Sequence, residues 1–334
     1  MDRYFRKIGL NPARIGPLEC LTYISTHVIG ALSFEPCVAE MQTSENIPLP
    51  QLAQEVQEVL KGEGGEFLQH LLVMGDSPQG ARPKALVYRD PVNLEFSTQA
   101  SNQHEAWLIK FPAQQEHPEV CAIEAVYADC LRLCAIETPD THFFNLPNGL
   151  TAFASKRFDR QNGMRIPMQS LAAYTGADYK VPGSLDYRNF LRATLMCTQD
   201  VRERLHAFKR AVFNVLFNNR DDHTKNFSFL MEKNGQWKLA PAYDVTFCEG
   251  PGGYHQMDIM GEALNISRND IHKLGTSEAN LTTLEVDEII LAMREIALQF
   301  SQIAQRLYPH QIRESTLQMI QSRIQQNIDF LTET

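Results

Sequence analysis

Apolar and polar positions change texture part-way along the chain. In the first part the apolar residues come in short runs broken by polar turns: HVIGALSF at 27–34, LLVM at 71–74, ALVY at 85–88, AWLIKF at 106–111 and LTAFASKRF at 150–158. Runs of that length, bounded by Gly, Pro and charged residues, predict strands. Two stretches depart from this. PLPQLAQEVQEVL sets Leu52, Val56 and Val59 on one helical face before the polar turn KGEGGE, and residues 120–135 also carry a helical spacing. Beyond residue 158 the period lengthens. Val201, Leu205, Phe208, Val212 and Val215 share one face of a helix. So do Leu284, Ile289, Met293 and Ile296, and, near the end, Leu317, Ile320, Ile324, Ile328 and Leu331. Two short runs flank Asn234-Gly235, a dipeptide that favours a two-residue hairpin turn. The pattern predicts an α+β protein with a strand-rich N-lobe over residues 1–158 and a mainly helical C-lobe over 159–334.

Length agrees with two lobes, because 334 residues exceed what one hydrophobic core usually grows to. With 43% hydrophobic and 21% charged residues, the composition excludes a disordered, collagenous or coiled-coil chain. The net charge of −9 argues against a direct grip on nucleic acid, which relies on Lys and Arg neutralising phosphates. A phosphorylated ligand needs only a few placed cations, so it stays open. MDRYFRKIGLNPARIG has no apolar segment behind its charges, and no run approaches the roughly 18 apolar residues of a membrane span. The expectation is a cytoplasmic protein with no membrane contact. The seven cysteines are odd in number and none has CxxC spacing. Cys130 and Cys134 are four apart on a helical stretch, but no second pair at ligand spacing joins them. Reduced core thiols are the reading.

The densest polar cluster is Asn218-Asn219-Arg220-Asp221-Asp222-His223-Thr224-Lys225-Asn226, between the 201–217 helix and the hairpin. A solvated turn is the bland account, yet nine polar residues exceed what capping a helix end requires. Arg220, Asp221 and Asn226 reproduce the R-D-x-x-x-x-N spacing of protein-kinase catalytic loops. There the Asp accepts the proton of the substrate hydroxyl and the Asn binds Mg²⁺. Asp222 would shorten the gap by one, so Asp221 is the candidate base. A second metal carboxylate belongs on the next hairpin, and Asp244 ends WKLAPAYDV, with Tyr-Asp-Val where Asp-Phe-Gly is usual. Upstream, GDSPQGARPKAL sets Gly75 and Gly80 between two apolar runs. It is not a Walker A loop, because Lys84 lies four residues past Gly80 and is followed by Ala. A strand–glycine loop–strand is how kinases cover ATP phosphates. Arg82 and Lys84 supply cations there. Lys110 ends an apolar strand, a costly place for an ammonium unless an anion pairs it, and Glu124 on the next helix is a candidate to hold it. Lys156-Arg157-Phe158 is the candidate hinge, with backbone groups facing an adenine edge and Phe158 beside it. His223 and Lys225 either orient the loop or touch the γ-phosphate.

DDHTKNFSFL resembles the D-x-H-x-K-N-F-S block of the HipA-like serine/threonine kinases, toxin components of bacterial toxin–antitoxin systems. The likeness continues through HVIGALSF, DSPQGARPKA, WLIKFP, SKRFDR and LAPAYDVT, in the family's order, over roughly residues 8 to 275. It implies a two-lobed protein-kinase-like fold with ATP in the cleft. It also implies ATP- and Mg²⁺-dependent phosphorylation of a protein, an aminoacyl-tRNA synthetase in some members. Carried over by motif, Asp221 is the base, Asn226 and Asp244 the metal ligands, and Lys110 the phosphate-binding lysine. Ser77 falls where the family autophosphorylates its glycine-containing loop. The chain resembles the shortened HipT-like form, which begins near the end of an N-terminal subdomain. A HipS-like small protein and a HipB-like DNA-binding antitoxin are the partners this implies. Arg220 stands where many relatives have Thr, and Asp222, where a small residue is common, adds a charge beside the metal positions. Two other function classes compete with an active kinase. One is a catalytically weak kinase-fold protein that binds a partner. The other is a metal-dependent phosphoesterase built on Asp221, Asp222, His223 and Asp244, which gives Lys110 and the glycine loop no role.

Overall fold

The short apolar runs of the first half pair into an antiparallel sheet. In the computed structural model, which describes residues 5–6, 9–24, 28–36, 46–61, 82–99, 101 and 103–332, its strands are β1 (Lys84–Arg89), β2 (Phe96–Ser97), β3 (Glu105–Lys110), β4 (Thr141–Asn145) and β5 (Thr151–Lys156). They run in the order β2-β1-β3-β5-β4. Because side chains alternate along a strand, Ala85, Val87, Trp107, Ile109, Ala152 and Ala154 share one buried face. Leu49, Leu52, Ala53 and Val56 of the helix Leu49–Lys61 belong to the same core. Fully burying each larger apolar side chain contributes roughly 1.5–3 kcal/mol. β6 (Arg160–Gln161) and β7 (Met164–Arg165) form a small hairpin turned by Asn162 and Gly163, both at positive φ.

HVIGALSF is not the strand its apolar content predicts. Its described part, Val28 to Phe34, makes no ladder, and Ile29 and Leu32 are exposed. Arginines take its carbonyls instead: Val28 accepts from Arg157 at 3.0 Å and Arg160 at 2.9 Å, Gly30 from Arg160 at 2.9 Å, and Leu32 from Arg165 at 2.9 Å. The Gly30 N–H donates to Asp159 at 2.7 Å. The run LLVM at 71–74 lies outside the described residues.

The second half carries β8 (Met168–Ser170), β9 (Ser228–Met231) and β10 (Trp237–Leu239), an antiparallel sheet in the order β10-β9-β8. Asn234-Gly235 lies in the turn of the β9–β10 hairpin, which spans three residues and not two: the Glu232 N–H donates to the Gln236 carbonyl at 2.7 Å, and Gly235 takes the positive φ of 82°. Around it are the helices Tyr187–Thr198, Val201–Leu216, Arg268–Glu278, Thr283–Leu298 and Glu314–Thr332. Capping residues fix where several start. Asp200 accepts from the Arg202 N–H, and Ser267 and Thr282 each open a reciprocal capping box, with Asp270 and Glu285. Gly275 lets two helices approach, since a Cβ there would collide with Val286.

The chain separates into two compact units, Met1–Cys121 with Asp140–Pro167, and Ala122–Pro139 with Met168–Thr334. The chain leaves the first unit for the last time after residue 167, and the β6–β7 hairpin stays in that unit with the arginine clamp through Asp159, Arg160 and Arg165. Most of the helix Glu119–Leu133 also belongs to the second unit: the Tyr127 ring meets Phe213, Phe217 and Phe300, and its hydroxyl donates to the Phe217 carbonyl at 2.5 Å. Cys121, Cys130 and Cys134 are buried. Among the described residues no helix is long and apolar enough to cross a membrane.

Candidate active site

The Val201–Leu216 helix delivers the polar loop. It ends where Asn218 adopts φ 54°, and the Asn219 N–H reaches back to the Asn214 carbonyl at 2.9 Å while the Asn218 N–H reaches Val215 at 3.3 Å. This is a Schellman ending, and Asn is among the few residues that tolerate its left-handed position. The chain then runs beside residue 248: Cys248 N–H donates to the Asn218 carbonyl at 3.1 Å and Arg220 N–H to the Cys248 carbonyl at 3.2 Å. A 3₁₀ turn, Thr224–Asn226, closes the loop, and the Asn226 Nδ2 donates to the Asp221 carbonyl at 2.8 Å. With Nδ2 committed, Oδ1 is the atom Asn226 can offer a cation.

Two adjacent aspartates have opposite surroundings. None of the Asp222 side chain reaches solvent, and it accepts from the Tyr187 hydroxyl, the Gln256 backbone N–H and the His255 Nδ1, each at 2.8 Å. A proton on that His255 nitrogen is required, since a carboxylate only accepts. Asn214 donates to the same Tyr187 hydroxyl at 2.8 Å and accepts from Asn219 at 2.9 Å, extending the network back into the helix. Burial and the Asp222 charge push the Tyr187 hydroxyl far above its usual range, so it stays protonated as a donor. Asp222 thus holds the loop and is not a surface charge beside the metal positions. Asp221 keeps a quarter of its side chain exposed. Its Oδ1 accepts from Gln256 Nε2 at 2.8 Å and lies 3.8 Å from His223 Nε2.

Asp244 sits at φ 57°, just beyond the hairpin. Tyr243 beside it donates to the Lys225 carbonyl at 2.6 Å, with Ser228 Oγ also at 2.6 Å, so the Tyr-Asp-Val segment is tied to the loop. The Lys225 ammonium lies 3.6 Å from the centroid of the Tyr179 ring, a cation–π contact, and the His223 ring is 5.8 Å from the same ring. Burial pushes His223 below the usual histidine range, and its Nδ1 has no hydrogen-bond partner among the described residues. A neutral ring is therefore favoured there.

In the first unit Lys84 and Lys110 are direct cross-strand neighbours of β1 and β3. Paired residues share a sheet face, and like charges set opposite each other favour an anion between them. Lys110 is 5% exposed, with its Nζ 5.9 Å from the Phe153 ring. Arg82 is engaged by Glu116 at 2.9 Å. Lys156 pairs with Glu105 at 2.5 Å, and its backbone N–H donates to Asp140, as that of Arg157 does to Ala106. These N–H groups are built into the sheet, and Phe158 follows half-buried. Glu124, in the second unit, is buried. Ser77, Gly75 and Gly80 lie outside the described residues.

Residues 77–305 match the family model described as the HipA-like C-terminal domain. The chain belongs to the HipA-like family. Among solved structures, the HipA of the Shewanella oneidensis toxin–antitoxin system, in complex with HipB and operator DNA, aligns over 99% of this chain and 82% of its own at 17% identity, with a TM-score of 0.74. That likeness establishes the two-lobed α+β kinase-like fold. CtkA, a proinflammatory kinase of Helicobacter pylori, aligns over 68% of this chain at 14% identity and a TM-score of 0.46. A Haemophilus influenzae protein named "Putative kinase" is 25% identical over 165 residues, 43% of this chain and 45% of that one. The match spans under half the length of that curated relative.

Of the residues the sequence singles out in this HipA-like chain, the structure assembles Asp221, His223, Lys225, Asn226 and Asp244 in the second unit. It pairs Lys84 with Lys110 in the first. Tyr187, Tyr179, His255 and Gln256, which hold or face the loop, went unnoticed. Tyr187 and His255 sit in stretches of ordinary composition. The one available signal was the polar pair His255-Gln256 straight after the Gly-rich turn at 249–254.

Proposed function

We propose that this HipA-like chain is an ATP- and Mg²⁺-dependent serine/threonine protein kinase. The observation that carries the reading is the contrast between Asp222, wholly buried and spent on the scaffold, and Asp221, which accepts from Gln256 yet is partly exposed. A rigid loop presenting one accessible carboxylate is what a hydroxyl-activating base requires. The lysine pair supports a phosphate-bearing ligand. Asn226 Oδ1 and the Asp244 carboxylate are hard oxygen donors of the kind Mg²⁺ prefers, and the committed Asn226 Nδ2 fixes which end of that amide is offered. These two residues would hold the ion, which supplies neutralising charge to the phosphates.

The chain's own part in the reaction follows. Asp221 accepts the proton of the substrate serine as its oxygen bonds to phosphorus and ADP departs with the bridging oxygen. Lys84 and Lys110 take phosphate charge. Tyr179 keeps Lys225 in place, and His223, neutral, packs beside Asp221 without adding a charge. The protein substrate belongs to the translation apparatus, an aminoacyl-tRNA synthetase being the example, and Ser77 is the autophosphorylation site. A HipB-like antitoxin would bring the DNA contact that a chain of charge −9 does not favour by itself, and a HipS-like small protein is the second partner.

Incubating the chain with labelled ATP, Mg²⁺ and a cell extract tests this. Wild type is expected to label a protein or itself, with loss of about 10³-fold or more in the rate on Asp221→Asn. Undiminished labelling by that variant overturns the assignment.

A further inference from the structure

Gln256 belongs to no motif, yet its side chain touches the candidate base. Its Nε2 donates to Asp221 Oδ1 at 2.8 Å, and the residue is 4% exposed. The direction of the amide is forced, because turning it over would set Oε1 against a group that only accepts. Oε1 itself is buried with no hydrogen-bond partner among the described residues. The bond to Asp221 is thus the one polar contact this buried side chain makes among them.

The backbone of Gln256 is anchored independently. Its N–H donates to Asp222 Oδ1 and its carbonyl accepts from the Gly183 N–H, both at 2.8 Å. Upstream, the segment carrying it is zipped to the loop it serves. Cys248 exchanges backbone bonds with Asn218 and Arg220, and the Asn218 Nδ2 donates to the Cys248 carbonyl at 3.0 Å. The Arg220 guanidinium donates to the Gly253 carbonyl. Gly250, at φ +70°, passes so close that a Cβ would lie 2.7 Å from the Arg220 Cβ. Apart from the Gly183 bond, these fastenings run between residues 218–222 and 248–256, and together they bring the Gln256 amide to one oxygen of Asp221.

We propose that Gln256 is a positioning residue for the Asp221 carboxylate, held in register by the Arg220–Gly253 latch. A carboxylate on a loop can rotate about two side-chain bonds. Fixing one oxygen by a donor that is itself immobile sets the plane in which the other meets a substrate hydroxyl. The activity part of this inference rests on the kinase reading, while the contact does not.

Two measurements test it. In thermal unfolding, Gln256→Glu is expected to lower the Tm by setting two carboxylates together, and adding Asp221→Asn to the same chain is expected to restore it. An equal loss with and without Asp221→Asn overturns the proposal, because the two side chains then do not interact. In phosphate transfer, Gln256→Leu is expected to lower kcat by about 10–100-fold, the loss of a hydrogen bond to a charged group, with the KM for ATP within about twofold of wild type. An unchanged kcat overturns the positioning role, as does a loss confined to KM. If the Tm coupling appears and the wild-type chain transfers no phosphate, the kinase reading fails and Gln256 stands as the orienting partner of Asp221.

Discussion

Asp222 accepts hydrogen bonds from the Tyr187 hydroxyl, the His255 ring and the Gln256 N–H while buried from solvent. Asp221, one residue away, accepts from Gln256 at one carboxylate oxygen and keeps a quarter of its side chain exposed. Stability and activity should therefore separate between them. Asp222→Ala strips three donors of their acceptor and is expected to cost about 3 kcal/mol or more, since each unsatisfied buried polar group costs about 1–3 kcal/mol. Asp221→Asn keeps an acceptor oxygen in place and should change stability by less than about 0.5 kcal/mol while removing phosphate transfer. Urea unfolding of both variants checks this, and equal destabilisation would contradict the division of roles. Motif spacing pointed to Asp221 and Asn226, set five residues apart on one loop, and to Asp244 beyond the next hairpin. It was silent on Tyr187 and His255, whose importance comes from a buried carboxylate 35 and 33 positions away in sequence.

Among elements, those with a strong local determinant were legible. Asn234-Gly235 dictates a tight turn wherever apolar runs flank it, and the amphipathic faces at 52–59, 201–215 and 317–331 became helices. HVIGALSF failed because an apolar run records what can be buried and not what will donate to its carbonyls. Asp159 organises the alternative. Buried to 3% exposure, it receives Arg157 at 2.9 and 2.7 Å, Arg160 at 2.7 Å and the Gly30 N–H at 2.7 Å. Burial alone would raise its pKa, but the Arg157 bonds, the charges of Arg157 and Arg160 and the Gly30 bond outweigh it and hold the carboxyl below the usual range. A depressed carboxylate contributes stability that is fully present above the unfolded pKa, about 3.9, and lost as pH falls through the folded value. Stability should thus hold from neutral pH down to about 5 on this account and decline below about 4. Asp159→Asn is expected to remove about 3–5 kcal/mol at pH 7, leaving buried guanidinium charge unpaired, and to flatten the acid decline. Denaturant midpoints across pH for both chains measure it. A variant whose acid limb matches wild type would show that the clamp is not what titrates.

At the scale of the whole molecule, the chain crosses between its two compact units at 121/122, 139/140 and 167/168. Helical periodicity in residues 120–135 reveals a buried face without naming what buries it, so a single boundary at 158 was the natural reading. The excursion 122–139 has consequences for the site. Val126, Tyr127, Cys130 and Leu131 are buried, with Tyr127 seated among Phe213, Phe217 and Phe300. The segment leading from β10 to Asp244 leans on the same excursion, through Ala242 N–H to the Glu137 carbonyl at 2.7 Å and Thr138 Oγ1 to the Ala242 carbonyl at 3.0 Å. Removing one buried aromatic alone costs about 3–5 kcal/mol, and whole domains are stable by only about 5–15 kcal/mol. A fragment beginning at Met168 lacks Val126, Tyr127, Cys130, Leu131, Glu137 and Thr138, although it retains Asp221, Asn226, Asp244 and Gln256. It is expected to show helical far-UV dichroism but no near-UV signal and no cooperative urea transition. Restoring residues 122–167 to its start should recover the transition. A fragment from Met168 that unfolds as sharply as the longer one would mean that the second unit builds its core, and the segment leading to Asp244, without residues 122–139.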